Sequence, residues 1–306
     1  YYSIEKEAPM TFSPDAEYPL VNTEKGRFPG HFTAGFEASD ALPRLVSIKA
    51  GTKVNVVPGK AKAAVEGFEM AALEKAAAET KEETGISFEF AAEGTVTEIT
   101  ATGIGAHAST PDVGNNALTG LLVFLGKLDF ASCPQVDMVR KTASLFPHGD
   151  VNGKTLGVAM EDELSGNLTL SFNMLSVDAA SMDGEFDGRI PVCGNDENVL
   201  EVVRARMAEQ GLTLLNKALI PPHHVSADSY FVKTLLAAFE LYTGRKGECQ
   251  ALGGGTYVHH LENGVAFGAA MPETDNKMHG PDEFAVVDEL LVSAKIFAQA
   301  IVDLCG

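Results

Sequence analysis

Runs of alternating apolar and polar residues, interrupted by segments with an apolar residue every third or fourth position, cover most of this chain. The alternating runs predict strands over residues 44–49, 53–57, 87–90 and 96–101. Residues 68–84 are dense in Ala, Glu and Lys and stop at Gly85, which predicts a helix closed by a C-terminal glycine. Residues 115–128 read as an apolar helix inside a helical segment reaching about residue 145. Strand patterning returns at 155–159, 168–175 and 185–192. Asn195-Asp196-Glu197-Asn198 offers cap residues for a helix running to about Gln210 and closed by Gly211. Residues 212–220 read as strand again. The order amounts to two β-β-α-β units flanking the helical segment, a repeat of pattern more than of sequence.

The ends of the chain pattern differently. Residues 1–6 resemble the tail of a helix and 10–12 a short strand. Pro221-Pro222-His223-His224 breaks the alternation. A helix is predicted over 228–242, capped by Ser226 or Asp228 and ended by Gly244. Gly253-Gly254-Gly255-Thr256 and the apolar Val265-Ala266-Phe267 follow, and a last helix is predicted from near Asp282 to the C-terminus. The fold class expected is α/β (α+β).

Composition narrows the function. The 306 residues suffice for two domains, and 45% hydrophobic with 21% charged residues is ordinary for a globular chain. A formal net charge of −19 repels nucleic acid and anionic lipid, so neither is expected as a partner. No apolar run approaches the roughly 18–20 residues of a membrane span, and no signal peptide is visible. Cys133, Cys193, Cys249 and Cys305 are widely spaced and form no CxxC pair. They read as free thiols, and the expected location is cytoplasmic.

Five short segments carry candidate chemistry. Asp15 lies in Ser13-Pro14-Asp15-Ala16-Glu17, and His279 in Met278-His279-Gly280-Pro281-Asp282-Glu283. Taken alone, Asp15 is a turn aspartate and His279 a loop histidine. His107 lies in Gly105-Ala106-His107-Ala108-Ser109-Thr110-Pro111, and is either a donor to substrate or a buried histidine satisfied by backbone. Asn55, in Val54-Asn55-Val56-Val57-Pro58, is either a substrate contact or a polar strand end. Arg189, in Phe186-Asp187-Gly188-Arg189-Ile190-Pro191, is either a carboxylate grip or a surface arginine. The Gly253–Thr256 run lacks the spacing and Lys-Ser/Thr of a phosphate loop. The adjacent pair His259 and His260 would point to different faces of a helix, so no metal is assigned there. Glu283 is expected in the first turn of the last helix, where its charge suits the helix dipole.

Together these segments resemble the M20 family of di-zinc peptidases, in particular its PepV-like dipeptidase branch, over nearly the whole chain. The resemblance implies a discontinuous zinc-peptidase domain over residues 1–24 and 224–306, and an inserted lid with two ferredoxin-like lobes over 25–223. It implies zinc as cofactor, with Asp15 and His279 as ligands. His107 would stabilise the oxyanion, Arg189 would hold the peptide's C-terminal carboxylate, and Asn55, Gly254 and Gly255 would contact substrate. The family's remaining ligands and general base come from an N-terminal stretch carrying a His-x-Asp segment and a Glu-Glu pair, and nothing in this sequence matches it. The chain is therefore expected to be the C-terminal part of a dipeptidase for short peptides with free termini, inactive alone. Its expected partners are a peptide substrate and either the missing segment or a second copy meeting it through an exposed sheet. The alternatives are a non-catalytic peptide-binding or scaffold fragment, and an M20 deacylase, which the doubled lid disfavours.

Overall fold

The computed structural model describes residue 4 and residues 6–277 and 282–306. The described residues carry six α-helices set among several β-sheets, the mixed α/β class expected. Contacts divide the chain into two compact units: Tyr1–Gly26, Asp162–Gly166 and Pro221–Gly306 form one, Arg27–Glu161 and Asn167–Ile220 the other. Among the described residues no helix is long and apolar enough to cross a membrane.

The larger unit is built on one eight-stranded sheet. Its strands run in the spatial order Thr213–Leu214, Gly26–Gly35, Ser181–Ile190, Thr169–Val177, Arg44–Ala50, Lys60–Glu66, Val96–Thr102 and Ser87–Glu93. The two halves of the pattern meet where Leu175 faces Ala50 and Val177 faces Ile48, antiparallel. Alternation decides which face is buried: in Lys60–Glu66, Ala61, Ala63 and Val65 turn inward while Lys60 and Lys62 face water. Helices Met70–Thr84, Ala117–Gly126 and Pro134–Leu145 contribute Leu73, Leu118, Leu121, Phe124 and Val139 to the same core. Gly85 closes the first helix in the left-handed region (φ 74°), as expected. Asn116 caps the second by accepting from the N–H groups of Leu118 and Thr119.

In the smaller unit the strand Leu20–Glu24 lies between Gly264–Ala266 and His223–His224, and Cys249–Leu252 pairs with it in parallel. Thr11–Ser13 extends the sheet beyond Gly264–Ala266. Helices Tyr230–Thr243 and Val287–Cys305 complete a core of Tyr18, Leu20, Leu235, Phe239, Val265, Phe267 and Ile296. Tyr18 meets Phe267 edge to face, with ring centroids 5.3 Å apart. Burial pushes the Tyr18 hydroxyl up to about 12.

Several expected elements are corrected. The strand expected at 53–57 shrinks to Val56–Val57, and the long strand Lys60–Glu66 follows it. Residues 155–159 are a turn, because the Asp150 carboxylate accepts from the N–H groups of Asn152, Lys154 and Thr155 and diverts the backbone from a ladder. The strand at 212–220 is only Thr213–Leu214. The last helix begins at Val287, so Glu283 precedes its first turn, where Asp288 and Glu289 stand instead. The helix tail expected at 1–6 falls largely outside the described residues.

Gly26–Gly35 holds the interlock that defines this sheet. Gly30 lies under the Phe186 ring of the neighbouring strand, and Gly184 of that strand lies under the Phe32 ring. An added Cβ would stand 2.0 Å from the Phe186 ring at Gly30 and 2.3 Å from the Phe32 ring at Gly184. Both rings are fully buried and have no room to swing aside. Gly30→Ala should therefore destabilise the protein by roughly 1–3 kcal/mol, read as a lower urea midpoint. Gly35→Ala, where an added Cβ meets nothing within 4 Å, should stay within about 0.5 kcal/mol of the wild type.

Candidate functional site

In the larger unit, three expected site residues lie in one neighbourhood. Val56–Val57 pairs antiparallel with Ala106–His107, and the Ala108 N–H donates to the Asn55 carbonyl at 3.0 Å. Asn173, fully buried on strand Thr169–Val177, donates to the Val54 carbonyl at 2.5 Å and to Ser171 Oγ at 2.9 Å. It ties the Asn55 segment to the sheet. Ser171 faces Asp187 and Thr169 faces Arg189 on the next strand. Asp187 lies within electrostatic reach of His107 and Arg27.

The His107 ring is exposed but held. Its Nδ1 accepts from the Ser109 N–H at 3.2 Å and stands 2.6 Å from Ser109 Oγ. Accepting at Nδ1 places the proton on Nε2, so this nitrogen is the donor. The turn Ala108–Ser109 that makes these bonds is the part of the segment that fixes the tautomer.

Arg189 is buried, which removes the reading as a surface arginine. Its Nε and Nη2 donate to the two Asp187 oxygens at 2.5 and 3.1 Å. Residues two apart in a strand share a face, so the pairing is dictated by the Asp187-Gly188-Arg189 spacing. Burial pushes the Asp187 carboxyl above its ordinary range, against the pull of Arg189, His107 and Arg27.

In the smaller unit, Asp15 sits exposed in the turn between Thr11–Ser13 and Ala16–Glu17. It lines a pocket of about 240 Å³ with Thr274, Asn276, Glu283 and Glu289. His279 lies outside the described residues. Among the described residues no group of three His, Cys, Asp or Glu could hold a metal ion. Asp15 and its neighbours do not by themselves make a zinc site, which takes three or four protein ligands.

Gly254 and Gly255 lie between the strand Cys249–Leu252 and a turn that holds His259 and His260. This turn replaces the helix assumed for the histidine pair. His259 is buried and its Nδ1 meets Glu24 Oε2 at 2.7 Å, while its Nε2 meets the Pro221 carbonyl at 2.8 Å. Glu24 Oε1 accepts from the Thr256 N–H at 3.0 Å and hydroxyl at 2.6 Å. Burial alone would raise the Glu24 carboxyl, but the bonds from His259 and Thr256 outweigh it and hold it below the usual carboxylate range. With Glu24 ionised and a carbonyl on the far side, both ring nitrogens of His259 donate. Four further histidines are likewise engaged: His223 with the Gly264 carbonyl, His224 with Thr23, His31 with Asp183 and His148 with Thr119.

Sequence reasoning did not single out Glu24, Asp187 or Arg27, and it set His259 aside as no metal ligand. The one available signal was a charge embedded in an otherwise apolar run, as in Tyr18-Pro19-Leu20-Val21-Asn22-Thr23-Glu24 and Phe186-Asp187-Gly188-Arg189-Ile190.

No family model matches the chain. It is similar to "Putative dipeptidase YtjP" of Bacillus subtilis (strain 168), 34% identical over 311 residues, covering 99% of this chain and 65% of that protein. It is 32% identical over 306 residues to the Beta-Ala-Xaa dipeptidase of Lactobacillus delbrueckii subsp. lactis, covering 99% of this chain and 64% of that one. The chain thus spans somewhat less than two thirds of these curated relatives. Among solved structures, the aminoacylhistidine dipeptidase of Vibrio alginolyticus matches with a TM-score of 0.51 at 11% identity, covering 97% of this chain and 67% of that one, a likeness of fold. The expected likeness to dipeptidases agrees with these relatives: the chain is similar in sequence to curated dipeptidases along essentially its whole length.

A pH prediction follows from Glu24. Its folded pKa lies below the ordinary 4.5, so its stabilisation is present above about pH 4.5 and is lost as pH falls through the folded value. Melting temperatures measured from pH 7 to pH 3 should fall at the acid end. Glu24→Gln should flatten that fall and cost roughly 1–3 kcal/mol at pH 7, because a His259 donor loses its acceptor.

Proposed function

We propose that this chain supplies the substrate-holding groups of a metal-dependent dipeptidase acting on short peptides with free termini. One observation carries the reading. In a chain of net charge −19, Arg189 is paired with the buried Asp187 carboxylate of the larger unit, within electrostatic reach of Arg27 and His107. Such a cluster suits the free carboxylate of a small peptide. The bidentate pair with Asp187 orients the Arg189 fork before substrate arrives.

The residues divide the work. His107, held by Ser109, donates from Nε2 to the peptide carbonyl oxygen as negative charge grows there. Arg189 holds the terminal carboxylate and Asn55 a further polar group. Gly254 and Gly255 offer backbone N–H groups. The domain reading goes with this assignment: residues 25–223 as a two-lobed lid, residues 1–24 and 224–306 as part of the catalytic domain. Zinc is the metal proposed for the complete enzyme, with Asp15 and His279 among its ligands. The other ligands and the general base would come from polypeptide outside this chain, which alone would be inactive.

The helix Val287–Cys305 supports the need for a covering partner. It leaves Val287, Leu290, Leu291, Ile301 and Val302 at least half exposed, a large apolar face for one helix. Further polypeptide of the same enzyme, or a second copy, would cover it. Leu291→Glu with Val302→Glu should lower the sedimentation coefficient if self-association is what covers the face.

The function is tested by calorimetric titration with β-alanyl-alanine and with its C-terminal amide. The free acid should bind, and the amide should bind at least about tenfold more weakly, a loss of about 1.4 kcal/mol. Arg189→Met should erase that difference. Equal binding of acid and amide would sink the carboxylate assignment. In any assembly that turns over, His107→Ala should lower kcat by about 10²–10³ with KM nearly unchanged.

A further inference from the structure

Glu24, the last residue of the strand Leu20–Glu24, and Lys25, which follows it, grip both feet of the glycine run. Before it, the Lys25 N–H donates to the Leu252 carbonyl at 2.9 Å. After it, the Glu24 carboxylate takes both the N–H and the hydroxyl of Thr256. Gly253, Gly254 and Gly255 therefore form a short arch whose span is set by a single peptide unit of the strand Leu20–Glu24 and its continuation. Among the described residues, the N–H groups of Gly254 and Gly255 meet no hydrogen-bond acceptor. The underside of the arch is close-packed: a Cβ on Gly255 would stand 3.3 Å from His259 Nδ1 and 3.6 Å from Glu24 Oε2.

Charge makes the grip specific. An ionised Glu24 alone under the arch would repel an anionic oxygen approaching the glycine N–H groups. His259 sits against the same carboxylate, nearly without solvent, and donates to it. It also locks its far nitrogen on the Pro221 carbonyl, so the ring cannot turn away. The pair is neutral as a unit, and the arch stays able to receive a negatively charged group.

We propose that Glu24, His259 and Thr256 form a positioning network that holds the Gly254 and Gly255 N–H groups as a preformed donor pair for an oxygen of the bound peptide. This rests on the reading above that Gly254 and Gly255 touch substrate. None of the three network residues touches the peptide. They act by fixing the backbone that does, as preorganised donors lose no freedom on binding.

The test uses the full chain labelled with ¹⁵N-glycine, with β-alanyl-alanine as the probe. Three variants are compared: Thr256→Val removes the hydroxyl at constant shape, Thr256→Ser restores it, and His259→Gln removes the counter-charge while leaving Thr256 on Glu24. In Thr256→Val the free-protein amide signals of Gly254 and Gly255 should move and broaden, and the peptide dissociation constant should rise about tenfold. Thr256→Ser should return both to near wild-type values. In His259→Gln the uncompensated Glu24 should weaken peptide binding at least as much. Unmoved glycine signals in both Thr256→Val and His259→Gln would overturn the network, whether or not peptide binds. Absence of peptide binding in the wild type, with glycine signals that still respond to Thr256→Val, would overturn the substrate reading and leave the network standing. If Thr256→Val fails to fold, His259→Gln reads the same two quantities.

Discussion

An ionised carboxylate removed from water must find donors and a counter-charge inside the protein, and among the described residues this demand arises once in each unit. Glu24 and Asp187 are both almost wholly buried. An unanswered charge there would cost several kcal/mol. Each is answered by a cation within hydrogen-bonding reach, His259 in one case and Arg189 in the other. The two solutions differ in a way that matters. Glu24 collects three donors and is driven toward ionisation, whereas Asp187 remains dominated by its burial and is pushed up. The first is a fastening for backbone; the second is a mount for a guanidinium.

These mounts depend on rigid surroundings. The Asp187–Arg189 pair stands on a strand whose neighbour contributes Gly30, flattened beneath Phe186. A strand that cannot shift keeps the two side chains in register, and the same strand pair continues to the Thr169 and Ser171 positions opposite them. Packing in the core and geometry at the cluster are thus one constraint. Loss of the aromatic–glycine interlock would loosen Arg189 several residues away, although no atom of the cluster had changed.

Much of this was legible in the chain, and the exceptions have physical causes. Strongly periodic elements such as Met70–Thr84 and Val96–Thr102 lie where alternation and capping put them. Gly26–Gly35 went unseen because Gly and Pro29 argue against a strand, yet Gly30 is there to admit the Phe186 ring from the next strand. Lys60–Glu66 was hidden by its alanines, which are small because helix Ala117–Gly126 packs over them. Of the candidate residues, His107, Asn55 and Arg189 are found together although they stand far apart in sequence. Their partners Asp187 and Ser109 could be suspected only from spacing. The Glu24–His259 pair joins positions 235 apart, and no local pattern carries such a pairing.

The overall charge bears on which peptides such a cluster would favour. A net charge of −19 repels anions at long range, but that repulsion is screened over about 8 Å at physiological ionic strength. A guanidinium such as that of Arg189 would act on a bound carboxylate at contact distance, where screening is weak. An extended acidic peptide would meet the repulsive field with most of its length before any carboxylate reached it. A zwitterionic dipeptide carries no net charge, would approach without that penalty and, under the proposed reading, would place its carboxylate at Arg189. Under the proposed reading, a preference for short peptides with free ends would follow from the contrast between an acidic surface and a local guanidinium mounted on Asp187, without any wall that measures chain length.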